Sequence, residues 1–241
     1  MTARRYAVVG ASSGIGFALA EMLVARGDRV LLGGRSADRL ADAATRLTAV
    51  SGSGDLVETR TIDTGDPDSI AAFFADAGPL HGLFTPAASY STSSFRDSTP
   101  ETTEALFASK FWGQYRVVRA ALDLLMPDAG VVLMSGAASV VPLGAAAYTA
   151  CNAALEGLAR GLAVELAPIR VNCLSPGTTD SDLWRGRPAE QREPAYAQWS
   201  ELSAVGRPGT SEEQAHSALF LLDNGNVTGT TLYCDGGVAL R

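Results

Sequence analysis

The chain has 241 residues, 46% of them apolar and 19% charged, an ordinary globular composition with enough length for one sizeable core. A net charge of -7 argues against a nucleic-acid or anionic-membrane partner, because contact with phosphates needs clustered Lys and Arg. Three cysteines, Cys151, Cys173 and Cys234, lack CxxC or Cys/His spacing, so they are expected to be reduced cytoplasmic thiols that bind no metal.

Short β-type runs alternate with longer helical stretches from end to end, the pattern of a doubly wound parallel sheet with helices on both faces. Seven strands are expected near 5–9, 29–33, 56–61, 80–85, 130–135, 169–174 and 230–234. Helices are expected near 14–26, 36–49, 67–77, 100–126, 145–167 and 211–222, all in one α/β domain over 1–241. Arg4-Arg5 before an apolar run looks faintly like a secretion signal, but Gly10-Ala11-Ser12-Ser13-Gly14 breaks the run. No segment approaches the ~18 apolar residues needed to span a bilayer.

After the first strand comes Gly10-Ala11-Ser12-Ser13-Gly14-Ile15-Gly16, a GxxxGxG turn that opens a helix. Such a turn suits a pyrophosphate, since glycines allow close backbone approach and the helix N-terminus offers unpaired N–H groups. The same residues satisfy GxSxG, a hydrolase nucleophile elbow, with His216 downstream. An elbow on the first strand would leave no earlier strand to supply the second oxyanion donor. The second strand ends Leu32-Gly33-Gly34-Arg35-Ser36, where a glycine clears space and an arginine supplies charge. That combination favours the 2′-phosphate of NADP(H) over the free ribose hydroxyl of NAD, which calls for a carboxylate. Asp63-Thr64 is expected to meet the adenine, unless Asp63 only caps a turn. Asp66-Pro67 and Thr210-Ser211-Glu212-Glu213 mark helix starts. The segment 181–204, with Trp184, Pro188, Pro194 and Trp199, interrupts the rhythm and is a candidate substrate lid or a plain surface insertion.

In this order, the GASSGIG turn, Asp63-Thr64, Ser135 thirteen residues before Tyr148, Arg170-Val171-Asn172 leading to Ser175-Pro176-Gly177, and Val227-Thr228-Gly229 through Asp235-Gly236-Gly237 resemble a short-chain dehydrogenase/reductase over nearly the whole chain. The resemblance implies a Rossmann-type fold and hydride transfer between NADP(H) and a small carbonyl or secondary-alcohol substrate. It also implies a homodimer or homotetramer paired through the helices 100–126 and 145–167. In that family the tyrosine is the general acid/base, the serine orients the substrate oxygen, and a lysine four residues after the tyrosine lowers its pKa and binds ribose. An asparagine on the preceding long helix holds a relay water. The family's cofactor contacts fall here on Ser12, Ser13, Ile15, Ser36, Ala87, Tyr148, Asn152, Pro176, Gly177, Thr179 and Ser181 as well.

The chain departs from the family at Val9, at Thr85-Pro86-Ala87-Ala88, and above all at Asn152, which stands where the lysine belongs. Its only lysine, beside eighteen arginines, is Lys110, in the family's asparagine position. A free tyrosine titrates near ~10, and a nearby ammonium favours its anion. The expectation is therefore an exchange, with Lys110 tuning Tyr148 while Asn152 positions ribose or water and Ser135 polarises the substrate oxygen. The competing expectation is a nucleotide-binding sensor of the same fold without turnover.

Overall fold

A strand covered by helices on both faces must be apolar along its length, and Tyr6-Ala7-Val8-Val9 of β1 (Arg5–Val9) is buried throughout. The computed structural model describes residues 3–89, 91–142 and 144–240. The other strands are β2 (Arg29–Gly34), β3 (Val57–Thr61), β4 (Leu80–Thr85), β5 (Leu125–Met134), β6 (Arg170–Pro176), the short β7 (Thr179–Asp180) and β8 (Gly209–Thr210), and β9 (Thr231–Cys234). Seven of them form one parallel sheet in the order β3-β2-β1-β4-β5-β6-β9, while β7 and β8 pair separately.

Alternation along each strand sends side chains to two cores. Tyr6, Val8 and Leu32 meet α1 (Gly14–Ala25), α2 (Ala37–Ser51) and, late in the chain, the helix Ser211–Asp223. Ala7, Val9 and Leu31 meet α3 (Pro67–Phe74), the helix Gly113–Ala121 and the helix Ala146–Glu165. Each fully buried Leu, Val or Phe in these layers stabilises the fold by about 1.5–3 kcal/mol. The remaining helices are α4 (Pro100–Leu106), α7 (Asp182–Arg185) and α8 (Ala189–Leu202); the three ranges just given for the flanking helices are α9, α5 and α6 respectively.

Three expected elements differ. The helix over 100–126 is α4, a π-helical turn at Phe107–Trp112, α5 and a 3-10 turn at Leu122–Leu124. Strand β5 begins at Leu125 rather than 130, with a register irregularity between its pairings to Leu80 and Gly82, because Ala120–Leu125 is apolar enough to read as more helix. The segment 181–204 contains two helices, α7 and α8. Neither α8, which carries Pro194 and has no fully buried residue, nor the short α7 offers an apolar period to detect. What fixes them is polar: Asp180 accepts from the Arg185 guanidinium at 3.0 and 3.1 Å and from the Tyr196 hydroxyl at 2.8 Å, and Trp184 packs on Tyr196.

Residues of the Arg170-Val171-Asn172 motif are fasteners. Arg170 caps α9 by donating to the Leu221 carbonyl at 2.9 Å, and Asn172 ties the loop before β9 through Val227 O (2.9 Å) and Thr230 N (3.2 Å). Cys151 and Cys173 are buried, and burial pushes each thiol up to about 11, so both stay protonated and inert. Among the described residues no helix is long and apolar enough to cross a membrane.

Candidate functional site

Strand order reverses between β1 and β4, so the chain leaves their carboxyl ends in opposite directions and opens a cleft of about 1320 Å³. The glycine turn forms its floor. Gly10 has φ +101°, and a Cβ there would lie 2.9 Å from the Ala87 nitrogen. At Gly16 a Cβ would come 2.2 Å from the Gly10 carbonyl oxygen, so only glycine lets α1 start this close to β1. Ser13 precedes α1 without capping it, and Ile15 packs into the core below. The Gly14 N–H donates to the Asp182 carboxylate at 3.2 Å, so the helix terminus already holds an anion.

Around this floor the cleft is lined by Ser12, Ser36, Asp63, Thr64, Ala87 and Ser181, as the sequence led us to expect, and by Arg35. Arg39, which sequence reasoning missed, joins them: its Nη2 donates to Ser13 Oγ at 3.0 Å, and its backbone N–H is capped by Ser36. The signal was its place three residues after a capping serine, which turns it back over the start of α2. Asp63 both lines the cleft and caps a turn by accepting from Gly65 N at 2.8 Å. Beside the two arginines Gly34 carries no side chain, and its nearest neighbours are Leu40 and Ser12. These groups fit a dinucleotide phosphorylated on its ribose: the α1 N-terminus, where the Asp182 carboxylate now sits, for the pyrophosphate and two guanidiniums for the extra phosphate. Pro176, Gly177 and Thr179 do not line the cleft. A Cβ at Gly177 would lie 2.9 Å from the Asp235 backbone, and Thr179 Oγ1 turns back to the Gly177 carbonyl at 3.2 Å. His216 is exposed on α9, outside the cleft that Ser12 lines, which removes the hydrolase arrangement.

Beside the cleft, α6 carries Tyr148, Asn152 and Glu156 at four-residue spacing, hence on neighbouring turns of one face. Lys110 lies in the π-helical turn and is 1% exposed. Its Nζ donates to the carbonyls of Ser135 (3.0 Å) and Met134 (3.3 Å) and stands 5.6 Å from the centre of the Tyr148 ring. Gln114, one turn on, bonds both the N–H and the carbonyl of Met134, fixing the end of β5 against this helix.

Ser135 is not where the family pattern put its hydroxyl. It is buried, and its Oγ donates to Glu156 Oε1 at 3.1 Å, while the other oxygen of Glu156 accepts from Tyr233 at 2.9 Å. The residue facing the Tyr148 hydroxyl is Gly136: a Cβ built there would lie 3.3 Å from that oxygen and 3.4 Å from Asn152 Oδ1. Met134-Ser135 ends the strand with alternating directions, so one step of register moves the hydroxyl to the opposite side. Asn152 is fully buried, donates from Nδ2 to the Tyr148 carbonyl at 2.9 Å, and leaves Oδ1 without a partner. Glu156 had a signal that was overlooked, as the one carboxylate in the otherwise apolar run Ala153–Ala159.

The profile of a family described as enoyl-(acyl carrier protein) reductase matches residues 10–239. An uncharacterized oxidoreductase of Schizosaccharomyces pombe is 30% identical over 239 residues, covering 96% of this chain and 89% of that one. Among solved structures, a reductase/Diels-Alderase from Malbranchea aurantiaca superposes with a TM-score of 0.91 at 25% identity, covering 99% of this chain and 97% of the other. An NADPH-bound short chain oxidoreductase from Pseudomonas aeruginosa, described as containing an atypical catalytic center, is 29% identical with a TM-score of 0.88, covering 97% and 96% of the two chains.

Proposed function

The chain belongs to the short-chain dehydrogenase/reductase family, and from that premise we propose that it is an NADP(H)-dependent reductase of a small carbonyl compound, or the dehydrogenase of the corresponding secondary alcohol. One observation carries the reading: the only lysine of the chain is buried with its ammonium 5.6 Å from the Tyr148 ring. A buried ammonium is costly unless it is paired, and here the Ser135 and Met134 carbonyls pair it and hold it beside a phenol next to a nucleotide-sized cleft. NADP(H), when bound, supplies or takes the hydride.

In the reducing direction the Tyr148 hydroxyl gives its proton to the substrate oxygen as that oxygen becomes negative. Lys110 stabilises the phenolate left behind, and the Ser135 and Met134 carbonyls hold the ammonium in place. Asn152 braces the first turn of α6 through the Tyr148 carbonyl and keeps its Oδ1 as an acceptor for ribose or a relay water. Ser135 does not polarise the substrate in this arrangement; it anchors Glu156 and keeps its own carbonyl aimed at Lys110. Arg35 and Arg39 select the phosphorylated ribose, and the segment 181–204 acts as a lid whose Asp182 leaves the α1 terminus when the pyrophosphate arrives. The test is NADPH consumption with a broad carbonyl panel. Tight NADPH binding with no turnover of any carbonyl would instead favour a nucleotide sensor.

A further inference from the structure

One buried carboxylate takes no part in the proton or hydride steps. Glu156 on α6 is 6% exposed, and each of its oxygens accepts from a hydroxyl, Oε1 from Ser135 at 3.1 Å and Oε2 from Tyr233 at 2.9 Å. Two acceptors facing two O–H donors suit the ionised form, which has no proton of its own to place. Burying such a charge is costly unless an opposite charge answers it. No ion pair among the described residues includes Glu156. The answering charge lies across Ser135, whose Oγ reaches Glu156 while its carbonyl holds the buried Lys110 ammonium at 3.0 Å. With one hydrogen bond at each end and only the serine between, the two charges stand no more than about 11 Å apart. Both fields reach the Cys173 thiol on β6. Burial, the main effect, pushes that thiol up to about 11, and of the smaller effects Glu156 raises it while Lys110 lowers it.

We propose that Glu156 is a positioning residue for the proton transfer: its carboxylate balances Lys110 across Ser135 and sets the upper pH at which the reactive pair, a protonated Tyr148 beside a charged Lys110, persists. The inference rests on the reductase reading above and deepens it. Lys110 alone draws the phenol toward ionisation, and a fixed anion behind it checks that pull. An anion near the pair disfavours loss of a proton from either member, so its effects on the phenol and on the ammonium run in one direction. The other titratable groups facing these three are Tyr233 on β9, Cys173 on β6 and Cys151 on α6. Burial raises all three, so they are neutral in the working range and lend no charge. At about 11 Å and an effective dielectric of about 20, the Glu156 charge is worth about one pH unit, and more if the separation is shorter.

The experiment compares wild type with Glu156→Gln, which keeps the shape and can bond both hydroxyls without a charge, and with Glu156→Asp, which keeps the charge. Tyrosinate absorbance of the nucleotide-free protein, referred to Tyr148→Phe, follows the phenol, and the pH profile of kcat in NADPH-dependent carbonyl reduction follows the reaction. In Glu156→Gln the phenol transition and the basic limb should both fall by about one pH unit or more, opposite in direction to the loss of Lys110. Glu156→Asp should hold both near wild type. Unmoved transitions in Glu156→Gln, or an equal shift in Glu156→Asp, overturn the proposal and leave the reductase reading standing. A lowered phenol transition without turnover of any carbonyl upholds the tuning by Glu156 and removes the reductase reading. If Glu156→Gln does not fold, the double variant Lys110→Met with Glu156→Gln should regain a cooperative thermal transition, since no ammonium is left stranded. A double variant that is equally unfolded overturns the proposal.

Discussion

Replacing Lys110 by methionine keeps most of the buried stem and removes only the ammonium. The ammonium lies 5.6 Å from the centre of the Tyr148 ring, and with the phenolate charge taken at that centre and an effective dielectric of about 20 the two interact by about 3 kcal/mol. If the phenolate develops fully in the transition state, that energy corresponds to a loss of roughly 100-fold in kcat. Lys110 does not line the nucleotide cleft, so NADPH affinity should change little. The basic limb of the kcat profile should move upward. Met134 O keeps the Gln114 amide as a donor, whereas Ser135 O loses its bond to Lys110; thermal unfolding of the variant reports that separate structural cost. Asn152→Lys alone buries a second cation and should also lower kcat. The double variant Lys110→Asn with Asn152→Lys should be more active than either single variant, a non-additivity that isolates the coupling. A Lys110→Met enzyme with wild-type kcat and an unchanged pH profile would refute the electrostatic role.

Arg35→Ala and Arg39→Ala should each weaken NADPH by about 1.5–3 kcal/mol, the value of a charged hydrogen bond, while NADH constants barely move; equal losses for both nucleotides would dismiss the phosphate assignment. Asp182→Asn removes an anion from the α1 terminus, so NADP(H) should bind more tightly in fluorescence titration, and unchanged affinity would mean that the contact does not compete. Trp112 and Tyr115 meet edge to face with 45% and 38% exposure on the π-helical turn and α5, so a homo-oligomer is expected through this surface. Sedimentation should show it dissociating on Trp112→Glu, and a monomeric wild type at micromolar concentration would end the idea. The Arg207 guanidinium, with the Thr210 N–H, holds the Glu213 carboxyl down at about 2 against an ordinary 4.5. Its stabilising contribution is therefore full above about 4.5 and is lost as pH falls through 2. The Tm gap between wild type and Glu213→Gln should close over that window.

The sheet and the glycine turn were legible because their determinants are local. Continuous burial in β1, the absent side chains at Gly10 and Gly16, and the Thr210–Glu213 capping box are each written within a few residues. The same holds for Arg35. What could not be read is what depends on direction at the end of an element. Spacing from Tyr148 selected Ser135, yet only the orientation of the last strand residues shows that its hydroxyl turns to Glu156 and that Gly136 faces the phenol. The helices of 181–204 rest on Asp180 drawing in Arg185 and Tyr196, pairs with no periodic trace. The resemblance put Pro176, Gly177 and Thr179 at the nucleotide; what the structure shows of them is local, Gly177 close against the Asp235 backbone and Thr179 Oγ1 bonded to the Gly177 carbonyl.

The π-helical turn at Phe107–Trp112 makes the heading of Lys110 a property of how the backbone is wound. An α-helix advances each residue by about 100° around its axis, so one residue more or less in a turn swings everything beyond it to another face. Excising Ala108 would return the segment to ordinary winding and rotate the lysine away from the end of β5, with no change in the identity of any side chain near Tyr148. A single codon of length, in a turn whose Lys110 faces the phenol and whose Ala108 and Ser109 line the cleft, would thus act as a selector of which residue the α4–α5 helix presents to the reaction.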